Sequence, residues 1–341
     1  MELRSVVQMK NEPSLHYLQD EHLGLKAVLA VDHLNDANIS IGGCRVWRYN
    51  SEQSAIFDAV QLARNMSLKY RVVQQRFGGL KLVVYELNEQ RRKDSFRAIG
   101  EWLNQFDGRC YIATDVGSTH DDMTAVKESC SFVVDLPEAQ GGFGSFVPLL
   151  TKGVLDSLNL VARHISGQET LCGLSAYVHG LGKAGYDIAG NLIESGCTCS
   201  GWDTDEQQQY KARDLGLTLQ EGFLSKNYDL FVPCSVGHVI TPEIIRKFRA
   251  HVVGGAANRP LAPGMEQILC KRNIVYVPDF VISAGAIVVD DLLLQGEIPT
   301  MEMAMKRVAC IGDFTNSLMT EHRKNELYSD TAYRILDVAY D

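Results

Sequence analysis

The residues best suited to chemistry fall in two groups. The first is a glycine loop, Gly180-Leu-Gly182-Lys183-Ala184-Gly185, of the form G-x-G-x-x-G. An apolar run precedes it, and Ile188, Ala189, Leu192 and Ile193 follow at helical spacing. Between a strand and a helix, Gly180 permits a tight turn and Gly182 lets the backbone approach a pyrophosphate. Gly185 lets helix and strand pack closely, and the helix N-terminus offers free N–H groups to the negative charge. A second apolar run, 198–202, ends at Asp203, which is 203 − 185 = 18 residues past Gly185. A carboxylate at that spacing accepts from the adenosine ribose and repels a 2′-phosphate, which favours NAD over NADP. No arginine follows within the next eight residues.

The second group lies in the first part of the chain. It comprises Gly42-Gly43-Cys44-Arg45, Met66-Ser-Leu-Lys69, Gly78-Gly79-Leu80-Lys81 and Ala113-Thr-Asp115-Val-Gly117. Gly-Gly pairs beside a charged residue suggest backbone brought close to a small ligand. Taken singly, each lysine reads as a surface group. Lys81 differs because it opens the apolar run Leu-Val-Val-Tyr, which sets it near a strand end.

Elements must position these groups. The first part reads as strands at 26–31, 81–87, 111–114 and 132–136, with helices at 51–66 and 94–106. Ser51-Glu-Gln gives the first helix a capping signature. The stretch 137–145 is the most glycine-rich in the chain and reads as a hinge. A helix over 148–164 follows. Strict alternation comes next: strands at 174–179, 198–202, 229–232, 251–254 and 275–277, with helices at 183–195, 205–215, 242–250 and 263–271. Such alternation marks a parallel sheet covered on both faces. The fold class is therefore α/β in two domains: an N-terminal α/β domain over 1–137 and a doubly wound, Rossmann-type domain over 145–315. The helical tail, 316–341, is expected to pack back on the first domain.

Composition excludes several classes. The 341 residues hold 33 Lys+Arg against 42 Asp+Glu, so 33 − 42 = −9, and the pI is near 5.5. Nucleic-acid binding is not expected, because phosphate contacts need a basic face. No stretch approaches the ~20 apolar residues of a membrane span. The N-terminus turns polar before a signal-peptide core could form. The nine cysteines are scattered without a C-x-x-C pair, so neither a disulfide framework nor a zinc site is expected. His120-Asp121-Asp122 reads as a helix start with favourable acids rather than as a metal site, and no metal is expected. A cytoplasmic setting follows from these features.

In order along the chain, these motifs resemble the glutamate/leucine/phenylalanine/valine dehydrogenases over 23–341, most nearly the leucine and phenylalanine branch. The resemblance also includes 111–123, Pro233-Cys234-Ser-Val-Gly237, Gly255-Ala-Ala257-Asn258 and 278–285. It implies NAD-dependent, reversible oxidative deamination of an apolar L-amino acid in a cleft between the two domains, by a ring of identical chains whose first domain carries the subunit contacts. Lys69 would hold the substrate carboxylate. Lys81 would be the general base toward the water that attacks the imine, with a pKa lowered by a dry cleft and by Lys69. Asp115 would move protons to and from the amine. Ile41, Gly42, Met66 and Ile287 would line the substrate site, with Ile41 standing where glutamate-specific relatives carry a lysine. Gly180, Gly182, Lys183, Ala184, Gly185, Asp203, Cys234, Ala257, Asn258 and Ser283 would contact the cofactor. The chain departs from the pattern at Leu80 (expected to crowd the substrate), Leu150, Ser283, Ala286 and Asp290. The last would suit a polar or basic side chain, or face solvent. These departures leave open another amine substrate, or a catalytically weak nucleotide-binding relative with a regulatory or partner role.

Overall fold

The computed structural model describes residues 12–35 and 37–338. Residues 1–11, within the polar N-terminal stretch, lie outside the described residues, as do the last three of the tail. The chain forms two compact units, Met1–Ser145 with Val289–Pro299, and Phe146–Val288 with Thr300–Asp341.

The first unit is built on a five-stranded sheet of order β1-β2-β4-β3-β5. Its strands are β1 (Ser14–Asp20), β2 (Leu25–Val31), β3 (Ser40–Val46), β4 (Gly78–Glu86) and β5 (Cys110–Thr114). β1 and β2 pair antiparallel, as do β2 and β4, whereas β3 runs parallel to both β4 and β5. Helix α1 (Glu52–Val72) is capped by the Ser51 side chain, which accepts from Ser54 N. Its small residues Ala55, Ala59 and Ala63 pack on Val28, Ala30 and Val83 of one sheet face. The opposite face, with Leu29, Cys44, Leu80, Leu82 and Ile112, packs with Phe96, Ile99 and Trp102 of α2 (Arg92–Leu103) and with Met123 and Val126 of α3 (His120–Lys127). The expected strand at 132–136 is only a bridge between Ile112 and Val133. β1 and β3 were not expected: β1 lacks clean alternation, and paired glycines interrupt β3.

The second unit is a six-stranded parallel sheet of order β11-β10-β9-β6-β7-β8. The strands are β6 (Ser175–His179), β7 (Thr198–Trp202), β8 (Thr218–Leu219), β9 (Tyr228–Pro233), β10 (Ala250–Val253) and β11 (Val275–Tyr276). They alternate with α4 (Val147–Ser166), α5 (Lys183–Glu194), α6 (Glu206–Arg213), α7 (Pro242–Ile245) and α8 (Met265–Lys271), and α9 (Asp279–Ile282) follows β11. Helix α7 is far shorter than the 242–250 expected, because Phe248 turns into the core and Ala250 opens β10.

The last part of the chain corrects the sequence reading. A short helix, α10 (Asp290–Leu294), belongs to the first unit, whereas α11 (Met301–Arg307), α12 (Ala309–Glu321) and α13 (Tyr328–Ile335) belong to the second. The tail, expected to pack back on the first domain, groups with the second unit instead: α12 lies on α4, where Ser157 Oγ and Thr315 Oγ1 share a buried hydrogen bond of 2.9 Å. The segment that does belong to the first unit is 289–299, tied by two polar links to α1 and the turn after it. Tyr70 OH donates to Asp290 Oδ2 at 2.6 Å, and Gln75 Nε2 donates to Asp291 Oδ1 at 3.0 Å. No described helix is long and apolar enough to cross a membrane.

Asp290 is buried rather than facing solvent. Burial pushes its carboxyl up to about 7, helped by the charges of Asp135 and Asp291 and opposed by the Tyr70 hydrogen bond. The folded state therefore favours the protonated acid, and the stability it contributes is present below the ordinary carboxyl pKa and lost as pH rises through 7. Asp290→Asn, which keeps an acceptor for Tyr70, should be more stable than the parent by about 4 kcal/mol at pH 8 and close to it near pH 4. Denaturant melts at the two pH values measure this.

Candidate active site

The polar centre of the first unit is made by three neighbouring strands. β3 lies between β4 and β5, and Gly43 pairs with Ala113 of β5, between the registers Ile41↔Gly79 and Cys44↔Leu82 on the β4 side. Lys81 on β4 and Asp115 just after β5 are thus separated by one strand. They meet because position 43 has no side chain: Lys81 Nζ lies 2.9 Å from Asp115 Oδ1. A Cβ at Gly43 would sit 2.9 Å from Lys81 Nζ and 2.7 Å from Asp115 Cβ.

Arg45, two residues along β3 and on the same face as Gly43, completes the cluster. Its Nε donates to Asp115 Oδ2 at 2.8 Å and its NH1 to Asp58 Oδ2 at 2.9 Å. Tyr49 OH donates to the same Asp58 oxygen at 2.6 Å. Only 4% of the Lys81 side chain is exposed, against 16% of Asp115. Burial lowers the Lys81 pKa, the Asp115 charge opposes this, and the Arg45 charge adds to the lowering. The cation that adds most is thus Arg45, not the expected Lys69. Burial alone would raise the Asp115 pKa, but the cations Lys81 and Arg45 hold it well below the usual carboxylate range. The result is a carboxylate that stays ionised beside a lysine predisposed to lose its proton.

The other expected substrate-site residues fall around this centre as follows. Ile41 is buried on the same face of β3 as Gly43 and Arg45. Gly42 faces the other way, with the Leu80 carbonyl where its Cβ would be, at 1.8 Å. Met66 packs over Gly79, whose missing side chain lets α1 approach β4. Lys69, one turn beyond Met66 on α1, is buried. Leu80 was expected to crowd the substrate. Its side chain instead lies wholly in the core on the face opposite Lys81. The sequence reading assigned no part to Arg45, Asp58 or Tyr49. The parity of Arg45 with Gly43 was the available signal, but it is readable only once 40–46 is known to be a strand.

The expected cofactor residues belong to the second unit, where Ile287 also lies half-buried. Gly180 follows β6 with φ +95°, a left-handed turn at the strand end. Gly185, in the first turn of α5, has the Gly180 carbonyl where a Cβ would be, at 1.9 Å, while nothing lies within 4 Å of a Cβ at Gly182. The loop thus leaves open backbone at the place a pyrophosphate would occupy. Lys183 is exposed and Ala184 half-buried at the start of α5. Asp203 follows β7, and its Oδ2 accepts from Leu181 N within the loop at 2.6 Å while Oδ1 accepts from Asp205 N at 2.9 Å. Each oxygen retains a lone pair for a ribose hydroxyl. Cys234 N donates to the His179 carbonyl at 2.7 Å, beside the loop, and burial pushes its thiol up to about 12. Ala257 N donates to the Pro233 carbonyl at 2.9 Å, which places Ala257 beside the end of β9, with the half-buried Asn258 following it. The Ser283 hydroxyl donates to the Asp279 carbonyl at 2.6 Å, so it faces its own helix. These residues fit a dinucleotide. Among the described residues, no three His, Cys, Asp or Glu side chains are placed to hold a metal. His120-Asp121-Asp122 starts α3 in a capping box with Thr119.

A mixed five-stranded unit with a buried Lys–Asp–Arg centre, joined to a parallel dinucleotide-type sheet, defines an oxidoreductase of the amino-acid dehydrogenase class. The comparisons with known proteins agree. The profile of the Glu/Leu/Phe/Val dehydrogenase dimerisation domain matches residues 19–132, and that of Glutamate/Leucine/Phenylalanine/Valine dehydrogenase matches 203–309. The phenylalanine dehydrogenase of Caldalkalibacillus thermarum is 31% identical over 292 residues, covering 82% of this chain and 78% of its own. The leucine dehydrogenase of Bacillus subtilis is 31% identical over 293 residues, covering 84% and 80%. The structure of L-tryptophan dehydrogenase from Nostoc punctiforme superposes with a TM-score of 0.75 at 25% identity, covering 96% of this chain and 95% of its own. The chain belongs to the Glu/Leu/Phe/Val dehydrogenase family.

Gly43→Ala should separate Lys81 from Asp115. The cost in stability is about 1–3 kcal/mol, as for other overpacked sites. Amino-acid turnover should fall on the order of 100-fold, as expected when reacting groups move by about 1 Å. Steady-state kinetics and a denaturant melt on the same preparation check both.

Proposed function

We propose that this protein is an NAD-dependent dehydrogenase that deaminates an apolar L-amino acid to its 2-oxo acid and ammonia, reversibly. The observation that carries the reading is the Lys81–Asp115 contact across Gly43, with Arg45 behind it. NAD supplies the hydride acceptor. In this reading Lys69 pairs with the substrate carboxylate, the group every amino acid shares. Lys81, once neutral, takes the proton of the water that adds to the imine carbon. Asp115, kept ionised by its two cations, relays a proton to and from the departing nitrogen. The reading requires that the nicotinamide carried by the second unit reach the α-carbon held by the first.

The apolar assignment is supported by Ile41, which cannot pair a distal carboxylate. Asp290 supports it too: its Oδ2 is already answered by Tyr70 OH. The match to a dimerisation domain supports an assembly of identical chains. All nine cysteines are unpaired, five of them buried, which suits a reducing cytoplasm.

Purified protein with NAD and each L-amino acid at alkaline pH should reduce the cofactor with Leu, Val, Ile or Phe. Turnover confined to basic or polar amino acids would instead assign another amine. Silence with every amine, while NAD still raises the melting temperature, would make the chain a nucleotide-binding relative. Lys81→Ala should lose about 10³-fold or more in turnover and keep NAD binding. Because Lys81 works when neutral and its pKa is lowered, the parent rate should rise with pH to a plateau below the ordinary lysine value of 10.5.

Asp203→Ala tests the cofactor. The ratio of kcat/KM for NAD over NADP should fall roughly 10-fold, since a ribose acceptor and a charge that repels a 2′-phosphate go together. An unchanged ratio would move the discrimination elsewhere.

A further inference from the structure

A second polar site lies in the dinucleotide-type unit, at the edge the cofactor reading does not use. The strands of this sheet all run parallel, and the glycine loop leaves the C-terminal end of β6. Arg249 immediately precedes β10, and Arg272 lies between α8 and β11, so both sit at the N-terminal edge. Together with Arg246, Pro242, Ile245 and Ile268 they line a groove of about 480 Å³.

Two of the three guanidinium groups are fixed in place. Arg272 NH1 donates to the Ile245 carbonyl at 2.6 Å and NH2 to the Phe248 carbonyl at 2.5 Å. Arg249 NH1 donates to the Phe248 carbonyl at 3.0 Å and, more weakly, to that of Arg246 at 3.4 Å. The Arg249 backbone is itself tied to β9, since its carbonyl accepts from Tyr228 N at 3.3 Å. These bonds occupy one side of each fork and leave Nε of Arg272, and Nε and NH2 of Arg249, for another acceptor.

No carboxylate answers them. Among the described residues, none of the three arginines forms a salt bridge, and Glu243, the acid that feels Arg246, receives Thr241 Oγ1 at 2.7 Å. Three cations thus line one groove of a chain whose net charge is −9. Burial lowers the Arg272 pKa, and the charge of Arg249 lowers it further. Like charges held this close repel, and a bound anion relieves the repulsion. Planar forks already fixed in direction suit the oxygens of a phosphate. Pro242 and Ile268 offer an apolar wall beside them.

We propose that this groove binds a small phosphorylated ligand, its phosphate oxygens shared among Arg246, Arg249 and Arg272 and its apolar body resting on Pro242 and Ile268. The bonds of Arg272 also cap the end of α7, so the test leaves that residue in place. The full chain is titrated calorimetrically with inorganic pyrophosphate, beside the double variant Arg246→Glu/Arg249→Glu and its neutral counterpart Arg246→Gln/Arg249→Gln. The groove predicts one site per chain in the parent, at least a tenfold loss in the Gln pair and no measurable binding in the Glu pair. Melting temperatures within about 2 °C of the parent show that both variants are folded. Absence of binding in the parent overturns the proposal, as does affinity unchanged in the Gln pair, which would place the anion elsewhere, such as the glycine loop. Adenosine diphosphate binding more tightly than pyrophosphate in the parent, with that gain lost in the Gln pair, supports the apolar wall, and equal affinities, or a gain kept in the Gln pair, overturn that half of it.

Discussion

The first unit depends on a contact between two charged groups that the strand order keeps apart. Lys81 lies on β4 and Asp115 just after β5, two strands that do not pair, and the strand between them would normally fill the gap with a side chain. Gly43 removes that side chain, and the ion pair forms through the space. The price in chain entropy is that of a glycine within a central strand. The sheet meets it by packing β3 on both sides and burying every residue from Ser40 to Arg45.

Arg45 changes what that contact means. A lone Lys–Asp pair in a dry site would hold the lysine charged, because the carboxylate favours the ammonium. The guanidinium takes the second oxygen of Asp115, so the acid divides its charge between two cations. Asp115 remains ionised, and Lys81 is left with burial and a neighbouring positive charge acting against its proton. Asp58 and Tyr49 hold Arg45 from the other side. An anion serving two cations is thus the device that leaves a buried lysine with its pKa lowered beside a carboxylate that stays ionised.

Much of this was legible in the sequence where one local rule governs. The apolar run before the glycine loop and the helical spacing after it are each local signals, and 198–202 matches its strand to the residue. The same holds for the helix start at His120-Asp121-Asp122, where α3 begins at His120. What was not legible depends on parity or on distant partners. β3 could not be read from Ser-Ile-Gly-Gly-Cys-Arg-Val, because two central glycines erase the alternation on which strand recognition rests. Without β3, neither the alignment of Arg45 with Gly43 nor the burial of Leu80 away from Lys81 could be deduced. The home of 289–299 was hidden for another reason. It is decided by Tyr70 and Gln75, more than two hundred residues earlier in the chain.

The departures from the family pattern show how far such substitutions reach. Leu80 stands next to Lys81 in sequence, yet its side chain joins Leu29, Leu82 and Ile112 on the opposite sheet face. What it presents toward Gly42 is chiefly its carbonyl, which any residue would supply. Asp290 is held by a tyrosine hydroxyl and stays buried, so a carboxyl has been accommodated within the first unit's own packing. Ser283 spends its hydroxyl on the carbonyl four residues back. In each case the altered side chain finds its partner inside its own unit. None displaces Lys81, Asp115 or Arg45, and the chemistry these three can perform is set by the geometry of β3, β4 and β5.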